Sequence, residues 1–290
     1  MFHTFGKCWL CLLCLLCGGF SQALFAKIIE TKLPSGTVVT AELRLGQPNM
    51  PTVLLIHGFM QTREFQTVSR LADGLVAAGF TTLAPTLSLG ISRRASSLPC
   101  EAVHRHTIEQ DVAEIAFWMT WLAKNQPGPI VLIGHSTGSL QSLIYATEKP
   151  STFLRLFIAL SLVDAERLTD QRVVTQIADA KQRMARGDQQ LLTHPLGYCK
   201  QFVSTPQSYY SYARWSRAEI LRLLRQNKVP MEVIMGGGDE RMGEDWPIKL
   251  RTSGNKVRVI PGANHFFDAE HEFDVLDLII GLSKSVKQTH

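Results

Sequence analysis

Apolar positions in this chain fall into two alternating patterns. Short runs with few interruptions, Pro51 to Ile56, Phe80 to Pro85, Ile130 to Ile133, Leu154 to Val163, Pro230 to Met235 and Lys256 to Ile260, read as strands. A continuous apolar run in a strand means burial on both faces, so these strands belong in a sheet covered by helices. Between them the spacing changes. From Glu64 to Ala78, apolar residues at Phe65, Val68, Leu71, Leu75 and Val76 recur at helical intervals, and Gly79 supplies the stop. Thr107 to Lys124 repeats the pattern through Ile108, Val112, Ile115, Met119 and Leu122 until Pro127-Gly128-Pro129 ends it, and His271 to Leu282 closes the chain in the same way. Strands alternating with helices call for right-handed crossovers and a parallel sheet. One exception opens the chain: Lys27 to Leu45 alternates with a period of two around the turn Leu33-Pro34-Ser35-Gly36, the pattern of an antiparallel hairpin.

The rhythm lapses between Asp164 and Lys228, a stretch too long for a plain loop. A charged segment from Leu168 to Arg186 has helical character, and Tyr209 to Trp215 is dense in aromatics. The expected organisation is an α/β core from residues 27–163 and 229–290, with a mostly parallel central sheet and helices on both faces. Residues 164–228 are expected to form a helical cap over the carboxyl edge of the sheet. The aromatic patch reads first as the buried face of cap helices, and second as a lid touching an apolar acyl group.

Composition adds limits. The 290 residues are 45% hydrophobic and 19% charged, a globular balance, and the formal charge of +5 is scattered without the Lys/Arg run that tracks a phosphate backbone, which argues against nucleic-acid binding. The first residues read differently: Lys7, then the apolar Cys8 to Phe20, then small residues, the plan of a signal peptide over residues 1–23 with cleavage after Ala23 or Ala26. The apolar stretch is short for a bilayer span and contains Gly18 and Gly19, so export to a periplasmic or extracellular space is expected, with membrane anchoring as the alternative. A lipid on Cys17 fits less well because Leu16 precedes it. Of the six cysteines, Cys8, Cys11, Cys14 and Cys17 lie in the leader, which leaves Cys100 and Cys199 to form one disulfide or to remain as two thiols.

The chemistry concentrates in IVLIGHSTGSLQSL, Ile130 to Leu143, where a buried strand stops at Gly134, presents Ser136 and re-enters a helix past Gly138. A serine hydroxyl is a poor nucleophile unless a base takes its proton, and a sharp turn lifts it clear of the sheet. Strand, Gly134-His135-Ser136-Thr137-Gly138 and helix resemble the nucleophile elbow of the α/β-hydrolase superfamily, and the likeness extends over nearly the whole chain beyond the leader. That resemblance implies Ser136 as nucleophile and a histidine after the last strand as general base, the place of His265. It implies an acid after the resumed strand, the place of Asp239 in Gly236-Gly237-Gly238-Asp239-Glu240. Glu240 beside it and Asp164 after an earlier strand are alternative acids. The oxyanion would be held by the N–H of Thr137 and of Phe59 after His57-Gly58, with Met60 the alternative, and His57 would support that loop without moving a proton.

The implied activity is a serine hydrolase acting on a small-molecule carboxylic ester or thioester through an acyl-enzyme, needing no metal or organic cofactor, with transient membrane contact compatible with such a substrate. Acyl transfer and amide cleavage would use the same parts, and a noncatalytic binding protein on the same fold is the reading of another class. Cys100, His104 and His106 have zinc-like spacing, but no fourth ligand is near, and a structural loop is expected there.

Overall fold

The computed structural model describes Met1 and residues 26–164 and 171–286; apart from Met1, the leader expected over residues 1–23 lies outside the described residues. The chain builds one eight-stranded sheet in the order β1-β2-β4-β3-β5-β6-β9-β10. Strands β1 (Ala26–Lys32) and β2 (Val38–Arg44) form the expected hairpin, and β2 also runs antiparallel to β4 (Thr81–Thr86). The remaining neighbours, β3 (Thr52–Ile56), β5 (Ile130–His135), β6 (Leu154–Leu160), β9 (Met231–Gly236) and β10 (Val257–Ile260), are parallel.

The unbroken apolar runs are explained by where alternate side chains go. Val53, Leu55, Val131 and Ile133 face a core made with α1 (Gln66–Ala77) and α8 (His271–Lys284), through Leu71, Leu75, Val275 and Ile279. Leu54, Ile56, Leu132 and Phe157 face the opposite core, with Trp118 of α2 (Ile108–Asn125) and Leu143 of α3 (Thr137–Glu148). Because side chains alternate across a strand, a sheet with helices on both faces buries both sets of side chains. Helix α2 starts where Thr107 and Gln110 cap each other: the Thr107 hydroxyl accepts from Gln110 N and the Gln110 amide oxygen accepts from Thr107 N.

Between β6 and β9 the chain forms α4 (Gln171–Ala185), the hairpin β7 (Leu192–Leu196) and β8 (Cys199–Ser204), α5 (Pro206–Ala213) and α6 (Arg217–Gln226). The expected helices are there; the antiparallel hairpin is an addition. It is held by contacts distant in sequence. Cys199 is disulfide-bonded to Cys100 across 99 positions, His104 N donates to Val203 O at 2.8 Å, and the His104 ring stacks on Phe202 at 4.3 Å. Cys100, His104 and His106 therefore have structural partners: a disulfide, a stacked ring and a buried contact with Tyr212 at 5.6 Å. The aromatic patch is mostly a buried face, with Tyr209, Tyr212 and Trp215 all enclosed. A short helix, α7 (Asp245–Thr252), follows β9 and buries Trp246, whose Nε1–H donates to Leu162 O at 2.7 Å.

A covalent loop of this size removes much entropy from the unfolded chain. Replacing Cys100 and Cys199 together by serine is expected to lower stability by about 4 kcal/mol and the thermal midpoint by roughly 10 °C. Calorimetry of the variant against the oxidised parent would show it, and an unchanged midpoint would contradict the assignment of this tether as a stability element.

Candidate active site

The turn after β5 is set by close backbone approach. A Cβ on Gly134 would lie 2.3 Å from Gly138 O, and one on Gly138 would lie 2.4 Å from His57 O, so any side chain at either place would collide with main chain. Ser136 between them sits at φ +57°, a left-handed conformation that costs a non-glycine residue roughly 1–3 kcal/mol and persists only where its surroundings enforce it. Its position as N-cap of α3 places the hydroxyl at the positive end of the helix.

The three side chains singled out above meet there. His265 Nε2 is 2.9 Å from Ser136 Oγ and His265 Nδ1 is 2.7 Å from Asp239 Oδ2. Asp239 Oδ1 accepts from Arg241 N at 3.0 Å, so both carboxylate oxygens are engaged. With a carboxylate as acceptor, Nδ1 carries the ring proton, and Nε2 presents a lone pair to the serine hydroxyl, which donates. Both His265 and Asp239 are buried while Ser136 is half-buried, so the hydroxyl is the part that meets solvent. The loops that carry Asp239 and His265 are joined to each other: Gly237 N donates to Ile260 O and Gly238 N to Ala263 O, each at 2.8 Å.

The alternative acids line the same cavity without meeting the imidazole. The carboxylate of Asp164 accepts from Arg217 Nε at 3.0 Å, and Glu240 is exposed; neither is the partner of His265 Nδ1. Phe59 and Thr137 line the same cavity as Ser136 and His265, whereas Met60 is buried behind it. Thr137 is the first residue of α3, so its N–H has no partner within the helix. The Phe59 ring is wedged against Tyr198 and Phe202 at 5.7 Å and Tyr212 at 5.9 Å, which fixes the loop that carries it.

Two further groups support this loop, His57, as expected from the sequence, and Arg94, which carries no local sequence signal. Arg94 is buried beneath it and donates to the carbonyls of Leu87 and Gln61 at 2.6 Å, Ser96 at 2.8 Å and Met60 at 3.4 Å. His57 Nε2 accepts from Leu87 N at 3.0 Å and its Nδ1 donates to Gly58 O at 2.8 Å, a neutral tautomer. Burial, then the Arg94 charge, pushes His57 down to about 3, which agrees with a supporting role for it. On the far side of α3, the buried Asp111 accepts from Gln141 Nε2 at 2.7 Å and from the Tyr212 hydroxyl, tying the cap to α3. Burial raises Asp111 well above the usual carboxylate range.

These buried groups set an acid limit. His57, His106 and His135 are each pushed down to about 3, chiefly by burial, so in acid the unfolded chain takes up protons there that the folded chain refuses. Their contribution is present above the ordinary histidine range and is lost as pH falls from about 6.5 toward 3. Asp111 and Glu114, raised by burial, act in the opposite direction, each retaining in the fold a proton that the unfolded chain has released. The three histidines outnumber the two carboxyls, so below about pH 6, where the unfolded histidines are mostly protonated, the unfolded chain binds more protons than the fold does. Thermal midpoints are expected to fall between pH 6 and pH 4; a flat or rising midpoint over that range would count against the buried neutral histidines.

The cavity containing Ser136 and His265 has a volume of about 490 Å³, with Leu140, Leu196, Tyr198, Tyr212 and Met242 on its walls and Asp164, Glu240 and Arg241 also in the lining. The Arg241 guanidinium rests on the Phe266 ring at 4.6 Å. A cavity of about 580 Å³ around Arg155, Met231 and Lys256 contains none of the triad side chains.

Comparison with known proteins agrees with this architecture. No curated protein matches the sequence. Among solved structures, the chain is similar to the alpha/beta hydrolase GrgF from Penicillium sp. sh18 (14% identity, TM-score 0.69, 91% of this chain and 99% of that one). It is also similar to Est1E from Butyrivibrio proteoclasticus, in a structure with ferulic acid bound (16% identity, TM-score 0.65, 89% and 98%). A third is a monoacylglycerol lipase from Paleococcus ferrophilus (18% identity, TM-score 0.64, 86% and 99%). At these identities the likeness is one of fold. The sequence itself matches the alpha/beta hydrolase family over residues 53–277, a span that runs from β3 into α8 and takes in the turn at Ser136 and both loops that meet it, and the chain is a member of that family.

Proposed function

We propose that this protein is a serine hydrolase that cleaves a carboxylic ester or thioester. The observation that carries the reading is the unbroken hydrogen-bonded chain from Asp239 through His265 to the Ser136 hydroxyl, opening into a largely apolar cavity. Ser136 Oγ attacks the substrate carbonyl carbon as His265 Nε2 takes its proton. Asp239 holds the imidazole in that tautomer and stabilises the imidazolium. The carbonyl oxygen, now an anion, is received by the N–H of Thr137 and Phe59. When the tetrahedral intermediate collapses, the imidazolium gives its proton to the leaving oxygen or sulfur, and Ser136 keeps the acyl group. Water, deprotonated by His265, then releases the acid and restores the serine.

A cavity of about 490 Å³ lies within the range of small-molecule sites, and its apolar walls suit an acyl chain or ring. The monoacylglycerol lipase among the structural relatives supports ester substrates, while acyl transfer to an alcohol and amide cleavage would use the same groups. The test is a fluorophosphonate probe followed by p-nitrophenyl esters of graded chain length. The wild type should be labelled, and kcat/KM should pass through a maximum at the acyl length that fills the cavity. A wild-type protein that reacts with neither reagent would favour the noncatalytic binder.

Export is part of the same proposal. The apolar leader supports it, and so does the Cys100–Cys199 disulfide, since such bonds persist in oxidising compartments. Mass spectrometry of the protein recovered from outside the cytoplasm should find an N-terminus at Leu24 or Lys27. Retention of Met1 in a membrane fraction would point to anchoring instead.

A further inference from the structure

We infer that Ser161 and His135 are positioning residues that fix the main chain of the general base, so that the His265 imidazole keeps its register between nucleophile and acid. The inference rests on the triad reading above but concerns residues outside the triad.

The His265 carbonyl accepts two hydrogen bonds, one from His135 Nε2 and one from Ser161 Oγ, each at 2.9 Å. Both donors are buried, at 1% and 0% exposure, so these bonds face no competition from water. A carbonyl oxygen only accepts, so His135 carries its proton on Nε2. The two rings are 5.4 Å apart, and burial keeps His135 neutral, so it anchors the loop without opposing the positive charge that His265 acquires in turnover.

Ser161 has the wider reach. It follows β6 directly, and the preceding residue, Leu160, accepts from Ser136 N at 2.9 Å. Its own N–H donates to Ile234 O at 2.9 Å, in the strand that leads to Asp239. Its hydroxyl reaches His265. One residue thus joins the elbow, the acid strand and the base loop. It does so at φ +47°, a left-handed backbone in which glycine would be the least strained choice. A serine there is explained by its hydroxyl.

That conflict between backbone and side chain provides the test. Ser161→Gly relieves the backbone and deletes the hydrogen bond, so a structural role and a positioning role part company. The thermal midpoint is expected to hold or rise, while kcat for a p-nitrophenyl ester falls about tenfold with KM within about twofold. His135→Phe, which keeps a ring and removes the donor, should lower kcat by a similar factor. The double variant should lose less than the product of the two, because both act on one carbonyl. A Ser161→Gly enzyme with parental kcat overturns the inference, as does a loss of activity that simply follows a lowered midpoint. If wild type labels with fluorophosphonate and Ser161→Gly is as fast, only this inference fails; if wild type does not label, the hydrolase reading fails first.

Discussion

Ser136→Ala is expected to lower kcat for ester hydrolysis by about 10⁵-fold while the fold stays intact, because in the proposed mechanism the substitution removes the nucleophile and little else. Alanine accepts the φ of +57° no worse than serine does, and the half-buried side chain leaves no large cavity when its oxygen is deleted. What survives is the residual effect of the oxyanion donors and of binding, so substrate affinity should hold while turnover collapses. Steady-state kinetics with a denaturation curve for the same sample, plus loss of fluorophosphonate labelling, would establish this. A variant that still hydrolyses within tenfold of the parent would place the nucleophile at another residue.

Asp239→Asn is expected to cost about 10⁴-fold in kcat. The amide that replaces the carboxylate cannot stabilise an imidazolium, and its NH₂ group turned toward His265 would favour the tautomer whose Nε2 bears a proton and cannot accept one from Ser136. Arg241 N still needs an acceptor at the other oxygen, which fixes that orientation of the amide. Two controls separate this acid from its neighbours. Glu240→Gln alters an exposed carboxylate and should leave kcat within a fewfold of the parent. Asp164→Asn weakens the pair with Arg217 and should act mainly on stability, so its activity is to be measured well below its own thermal midpoint. Should Glu240→Gln be as damaging as Asp239→Asn, the acid has been misplaced by one residue.

Much of the architecture is legible in the sequence because it depends on local pattern. Val53 to Ile56 and Ile130 to Ile133 are continuous apolar runs since both faces of those strands are covered, and Gly134 and Gly138 stand where backbone meets backbone. The hairpin β7–β8 is less legible. It contains Pro195, is short, and is held by Cys100 and by the His104 segment, about a hundred positions away. The same division runs through the candidate site. Ser136, Asp239 and His265 each follow a strand in a glycine-bearing loop and can be named from their neighbours. Arg94, Asp111, Tyr212 and Ser161 have no such marker, because their roles depend on which distant carbonyl or side chain the fold brings within reach.

The bond between Cys100 and Cys199 closes a covalent ring through helices α2 and α3, strands β5 and β6 and the first half of the cap. A protease that cuts this ring once, anywhere between those two cysteines, opens it without parting the pieces. Such a clipped enzyme would migrate as a single band on a denaturing gel until a thiol reagent is added, and then as two. Wear in a protease-rich environment would therefore accumulate as hidden breaks rather than as lost fragments.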